Sequence, residues 1–236
     1  MYTDCHCHLD RIPDFKDAIE RARKAEVRMM ANGIDPESNR FALEASRFEN
    51  VDCALGIHPT SIFDGYEDEI EFITKNRDKI SAIGEVGLDY KQDYPGQERL
   101  FQKLIELSEK IGKPLIVHTR KAESEVLDML ESSTNKDVVL HCFSGKLNLV
   151  KRAYDDGYSF SIPANVTRST QFQRLVEEIP LSNLLTETDA PFLSPYQDKP
   201  NEPAFVVEAA KKIAEIKKME LTETRNNIFM NYKRLF

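Results

Sequence analysis

Short β-branched runs alternate with amphipathic stretches along the whole chain, and this alternation most constrains its fold. Eight strand–helix units in unbroken series predict an α/β protein with a parallel sheet, a (β/α)8 TIM barrel rather than an open doubly wound sheet. The predicted strands are 2–7, 27–33, 51–57, 80–85, 114–118, 137–142, 158–162 and 183–188. The predicted helices are 14–26, 36–48, 66–78, 96–112, 121–132, 146–156, 168–179, 203–217 and 221–234.

Length and charge limit the classes of protein that fit this pattern. The 236 residues suit one domain spanning 1–236, because such barrels have roughly 250 residues. The formal net charge is −8, so any contact with nucleic acid must come from bound cations and a few basic side chains. Neither a bilayer-spanning apolar stretch nor a signal peptide is expected.

The cysteine pattern indicates thiols rather than disulfides. Cys5, Cys7, Cys53 and Cys142 lie in or beside apolar runs, with spacings that fit neither a disulfide framework nor paired zinc knuckles. Buried free thiols in a reducing compartment are therefore expected, and with them a cytoplasmic location.

All five histidines lie in or directly after four of the predicted strands. The carboxyl ends of barrel strands form one rim, and imidazoles gathered there are typical of a metal site. A lone histidine after a strand is more often a hydrogen-bonded core residue, but the repeated position favours ligation. The residues are His6, His8, His58, His118 and His141.

Two further predicted strands end in or directly before acidic residues, at Ile83-Gly84-Glu85 and at Leu184 to Asp189. A carboxylate at a strand end can bridge two cations, which is the interpretation we favour for Glu85 over a surface position in a glycine-rich turn. Asp189 can ligate a metal and accept a proton from water. Glu187 has the same parity and is expected to hold a ligand histidine, or to form an ion pair in the barrel mouth.

Parity along the first strand separates its polar side chains from its thiols. Residues two apart point to the same side of a strand, so His6 and His8 are expected on one face with Asp4. Cys5 and Cys7 are then expected to face the helices.

Two other residues are expected to bind substrate. His58, in Gly56-Ile57-His58-Pro59, could ligate or donate a hydrogen bond to substrate, and we favour the second. Arg120 follows His118 closely, so it could pair with a phosphate oxygen or form a surface salt bridge.

With these histidines and acids at successive strand ends, the chain resembles the TatD family of metal-dependent deoxyribonucleases, within the amidohydrolase-like hydrolases. The resemblance covers essentially the whole chain, with the motifs in the family's order. They are Thr3-Asp4-Cys5-His6-Cys7-His8, Gly56-Ile57-His58-Pro59, Gly84-Glu85-Val86-Gly87-Leu88-Asp89-Tyr90, His118-Thr119-Arg120, His141-Cys142-Phe143-Ser144-Gly145 and Glu187-Thr188-Asp189-Ala190-Pro191.

The resemblance implies a cofactor of two divalent metal ions. One ion would be held by His6, His8 and Asp189. The other would be held by His118 and His141, with Glu85 bridging the pair. The ligand types leave zinc, magnesium and manganese open.

The resemblance also implies cleavage of DNA phosphodiester bonds, which we expect to be 3′–5′ exonucleolytic on single-stranded ends, with Asp189 and Glu85 as catalytic residues. The expected partner is DNA or a nucleotide, with no membrane and no obligate protein partner. One alternative is an esterase acting on aminoacyl-tRNA or another small ester or phosphoester. Activated water can attack any of these bonds, and the shape of the pocket determines which substrate binds. Another is a metal-binding protein without catalysis.

Overall fold

In a computed structural model that describes residues 1–92 and 94–236, eight parallel strands follow one another around a barrel. This confirms the TIM barrel over the open sheet. The strands are β1 (Tyr2–Cys7), β2 (Val27–Asn32), β3 (Val51–Leu55), β4 (Ala82–Asp89), β5 (Leu115–Arg120), β6 (Val138–His141), β7 (Ser159–Pro163) and β8 (Leu184–Glu187).

Helices connect successive strands and form the outer layer of the barrel. Within the described ranges, no helix combines the length and the apolar character that crossing a bilayer requires. The helices are α1 (Phe15–Lys24), α2 (Pro36–Ala45), α3 (Tyr66–Lys75), α4 (Gln97–Ile111), α5 (Glu123–Glu131), α6 (Leu147–Asp155), α7 (Thr170–Glu178), α8 (Val206–Lys217) and α9 (Leu221–Leu235).

Hydrogen bonds join the end of β8 to β1. The backbone N–H of Asp189 donates to the carbonyl of His6 at 2.9 Å. The buried carboxylate of Asp4 accepts from the backbone N–H of Thr188 at 2.8 Å and from its hydroxyl at 2.5 Å. The chain after β8 is therefore held against the segment that carries His6 and His8.

The last helix closes the barrel where the strands begin. Tyr232 of α9 is 1% exposed, and its hydroxyl donates to Asp52 at 2.6 Å, near the start of β3. Arg28 holds the same carboxylate with two bonds of 2.6 Å. Tyr232 packs on an inner layer with one side chain from each of seven strands: Cys5, Met30, Ala54, Ala82, Ile116, Val139 and Leu185.

Strands β4 and β5 extend beyond their predicted ends, to Asp89 and Arg120 instead of 85 and 118. Glycines of β4 let the two strands approach closely. At Gly87 φ is +139°, and a Cβ there would lie 2.1 Å from the carbonyl oxygen of His118. His118 therefore lies within its strand.

The two cysteines of β1 do not share a face, so the prediction that both point at the helices is wrong for Cys5. Cys5 belongs to the inner layer, whereas Cys7 packs in the large core that includes residues of the helices. The pairing of β1 with β2 shifts register between Asp4 and Cys7, and such an irregularity breaks strict alternation.

Truncating the residue that closes the barrel should destabilise the fold. We expect Tyr232→Ala to lower the free energy of unfolding by about 3–5 kcal/mol, because it removes a large buried ring from the inner layer. Urea denaturation followed by circular dichroism measures this change. Met230→Ala, at a 64% exposed residue of the same helix, should change it by less than about 0.5 kcal/mol. Equal effects would refute closure by Tyr232.

Candidate metal centre

Histidines and carboxylates from several strands converge at the carboxyl end of the barrel. They border a cavity of about 570 Å³ that opens between the loops. The structure brings together all six residues predicted as metal ligands, and His58 stands beside them. The six are His6, His8, Glu85, His118, His141 and Asp189.

Four ligand atoms surround one point beside β1. The Nε2 atoms of His6 and His8 are 3.3 Å apart, and each lies 3.5 Å from Oε2 of Glu85. Oδ1 of Asp189 is 3.7 Å from the His6 nitrogen and 3.5 Å from the His8 nitrogen. Ligands about 2.1 Å from a tetrahedral ion stand about 3.4 Å apart, so these atoms fit a divalent cation.

The other oxygen of Glu85 faces a second group of histidines. Oε1 lies 2.7 Å from Nδ1 of His118 and 3.6 Å from Nε2 of His141. It is also 3.6 Å from Nε2 of His58. Each oxygen of Glu85 thus faces a different set of nitrogens, which is the arrangement that a carboxylate shared by two cations requires.

His141 is oriented by a carboxylate behind it. Its Nδ1 lies 2.9 Å from Oε2 of Glu187, and Ser161 donates its hydroxyl to the same oxygen. This contact leaves Nε2 of His141 directed at Glu85, as in histidine ligands held by an acid. Burial raises the pKa of Glu187 to about 8. A cation beside His141 would favour the charged form of that carboxylate.

The buried imidazoles differ in their affinity for protons. Burial lowers the pKa of His6 and of His141, which leaves them neutral, the form that binds metals. Burial also opposes the charged form of His118, but the nearby carboxylates of Asp89 and Glu85 outweigh this and raise its pKa to about 9. A cation that binds His118 therefore has to displace a proton.

Glu85 itself is held as a carboxylate. Burial alone would raise its pKa, but the neighbouring imidazoles of His58, His6 and His118 hold that pKa well below its usual value. The buried negative charge is thus balanced only by the groups around it.

His58 faces the cavity in a form suited to donating a hydrogen bond. The backbone N–H of Thr60 donates to its Nδ1 at 3.1 Å, and the Thr60 hydroxyl is 2.7 Å from that nitrogen. An accepting Nδ1 puts the proton of the neutral ring on Nε2. Burial lowers the pKa of His58 to about 4, so the ring is neutral at pH 7. Ligand atoms of His58, Glu85 and His118 also lie close enough together to hold a metal ion. A contact between His58 and substrate stays a prediction.

Sequence reasoning missed Asp89, which is 2% exposed at the end of β4. Its Oδ2 lies 3.4 Å from Nε2 of His118 and 4.0 Å from the guanidinium of Arg120. Its spacing could have identified it. Asp89 is four residues after Glu85 on the same strand, so the alternation of side chains places both on the same face. Arg120 is half exposed and lines the cavity.

The sequence matches the family of TatD-related DNases over residues 3–236. The chain belongs to this family. It is 35% identical to the uncharacterized metal-dependent hydrolase MJ1582 of Methanocaldococcus jannaschii, over 100% of the chain and 96% of that protein. It is 31% identical to the human deoxyribonuclease TATDN3, over 99% of the chain and 94% of that protein. The family is therefore one of metal-dependent hydrolases.

Solved structures agree with this membership. The TatD homologue YjjV of Escherichia coli superposes with a TM-score of 0.91 at 27% identity, covering 100% of this TatD-family chain and 97% of its own. A phosphotriesterase homology protein of Escherichia coli superposes with a TM-score of 0.70 at 13% identity, over 96% of both chains. At that identity the second likeness shows a shared fold alone.

Replacing the carboxyl group behind His141 should weaken metal binding. We expect Glu187→Gln to reduce the affinity for Zn²⁺ or Mn²⁺ by about 10- to 100-fold, because His141 loses the acid that orients it. Titration calorimetry on metal-stripped protein measures the affinity. Glu71→Gln, at a side chain that is 64% exposed and pairs with Lys75, is the matched control. Unchanged affinity in Glu187→Gln would show that Glu187 does not support a ligand.

Proposed function

We propose that this chain hydrolyses phosphodiester bonds of DNA at single-stranded ends, in the 3′–5′ direction, with two divalent ions. The observation that carries this proposal is the position of Glu85, whose two oxygens face separate histidine groups. Two ions that share a carboxylate are a common solution for hydrolysing phosphate esters.

The ligands divide into two groups around Glu85. His6, His8 and Asp189 would hold one ion, whereas His118 and His141 would hold the other. When bound, zinc, magnesium or manganese ions supply Lewis acidity, which lowers the pKa of water and polarises a phosphoryl oxygen.

Asp189 is placed to act as the proton acceptor. Its pKa stays below the usual value despite burial, because the imidazole of His8 lies 3.5 Å away and those of His141 and His6 are also close. It is therefore a carboxylate at neutral pH. It takes a proton from the attacking water as the new bond to phosphorus forms and the bond to the leaving oxygen breaks.

His58 and Arg120 would hold the phosphate. The Nε2–H of His58 faces the cavity and can donate to a phosphoryl oxygen. The guanidinium of Arg120 lies on the same wall and can balance charge that develops in the transition state. Both side chains lie on the cavity wall, where the end of a DNA single strand can reach them more easily than the middle of a rigid duplex.

The name of the human relative supports DNA as the substrate, since that protein is called a deoxyribonuclease. Four free cysteines among the described residues fit the reducing cytoplasm that we propose as its location.

Asp189→Asn should abolish most of the activity while metal still binds. We expect the rate on 3′-end-labelled single strands to fall by roughly 10²- to 10⁴-fold, because an amide cannot accept the proton. Metal content measured by mass spectrometry should stay close to that of the unmodified protein. Asp78→Asn, at a side chain that is 90% exposed beyond α3, is the control and should keep full activity.

A panel of substrates tests the choice of bond. An aminoacyl ester and a phosphomonoester should be cleaved far more slowly than the oligonucleotide. Faster cleavage of the aminoacyl ester would replace the proposal with an esterase. Full metal occupancy without any hydrolysis would indicate a binding protein.

A further inference from the structure

A half-exposed phenyl ring stands at the mouth of the metal cavity, and the reaction described above gives it no role. Phe192 is 47% exposed and lines the cavity together with His8 and Asp189. Its ring centroid lies 6.3 Å from that of His8, in an edge-on arrangement. Single exposed apolar side chains are common. What distinguishes Phe192 is its position and the rigidity of its backbone.

The backbone that carries this ring is tied to the same segment as Asp189. The N–H of Phe192 donates to the carbonyl of Asp189 at 2.8 Å. The side chain of Asn201, which is 2% exposed, donates to the carbonyls of Thr188 at 2.7 Å and Phe192 at 2.8 Å. The backbone that carries the ring is therefore fixed relative to the metal ligands.

A positive charge accompanies the ring. The guanidinium carbon of Arg11 lies 5.9 Å from the centroid of Phe192, and Arg11 lines the same cavity. Its contact with Asp10 is long, at 3.9 Å, and its side chain is 45% exposed. The guanidinium lies over the ring. An exposed aromatic ring with a cationic side chain close to it is the combination that proteins use to hold an unpaired base and its phosphate.

We propose that Phe192 and Arg11 form a subsite for the nucleobase of the terminal nucleotide. This inference rests on the proposed function, because it requires a nucleic-acid substrate. The ring centroid lies 6.3 Å from that of the metal-ligand candidate His8, so a base stacked on the ring keeps its own phosphate within the metal cavity. A base that stacks on Phe192 has left its neighbours in a duplex, and the subsite therefore selects unpaired ends.

The test combines a change in the protein with a change in the substrate. Phe192→Leu keeps an apolar side chain but removes the aromatic face. Two oligonucleotides are compared, one with an intact 3′-terminal base and one with an abasic terminal sugar. In the unmodified protein, loss of the base should lower kcat/KM roughly tenfold. In Phe192→Leu, loss of the base should have almost no further effect, because both changes remove the same contact.

Phe48→Leu is the matched control. Phe48 is 38% exposed and lies between α2 and β3, at the opposite end of the barrel from the cavity. This variant should keep the tenfold dependence on the base. Loss of that dependence in Phe48→Leu would overturn the assignment to Phe192.

A second measurement does not depend on cleavage. An oligonucleotide with 2-aminopurine at its 3′ end loses fluorescence when that base stacks. The fluorescence is measured when protein and oligonucleotide are mixed. Quenching in the unmodified protein and its absence in Phe192→Leu support the subsite. If DNA is cleaved but the effects of base loss and Phe192→Leu multiply independently, the subsite is wrong and the proposed function stands. If no DNA is cleaved, the proposed function fails, and the presence or absence of quenching decides the subsite.

Discussion

The buried carboxylate of Glu85 is the interaction on which the rest of the centre depends. It is 3% exposed, and a charge buried to that extent is stable only when opposite charge or hydrogen-bond donors surround it. Strands β1, β5 and β6 each bring an imidazole to within 3.6 Å of one of its oxygens. Gly56, just after β3, leaves room for the Glu85 backbone, whose carbonyl oxygen would lie 2.6 Å from a Cβ at that position.

Closure of the barrel completes this arrangement. Asp189 lies beyond the end of β8, and its N–H bond to the His6 carbonyl joins it to the first strand. Its φ of +55° is unusual for a residue other than glycine, although aspartate tolerates that region better than most. Backbone strain of this kind is kept where the surrounding structure compensates for it. Here it places a carboxylate beside two histidines that are more than 180 residues away along the chain.

The wall of the metal cavity carries both signs of charge. Arg11 and Arg120 lie on it together with the acids Glu85, Asp89 and Asp189, in a chain whose formal net charge is −8. A phosphate backbone is therefore attracted to the mouth of the barrel only when cations neutralise those acids.

Periodicity along the chain predicted the fold because local rules govern it. The eight strands appear where runs of β-branched residues occur, and the histidines and acids at their ends predicted which residues would meet. The predicted ends of β4 and β5 were too early. In β4 the strand continues through Gly87, a residue type that is also common in turns but here permits close contact with β5. Local pattern alone cannot distinguish these two uses of glycine.

By itself, the amino-acid sequence determined the barrel and the set of candidate ligands, since both follow from hydrophobic spacing and from the identity of residues at strand ends. The family resemblance implied how those ligands divide. Only the tertiary structure decided that Asp89 lies beside His118 and that Thr60 fixes the proton of His58. It also decided that Cys5 faces inward, through the shifted register of β1. The physical reason is that these properties depend on distances between separate strands, which a one-dimensional pattern does not contain.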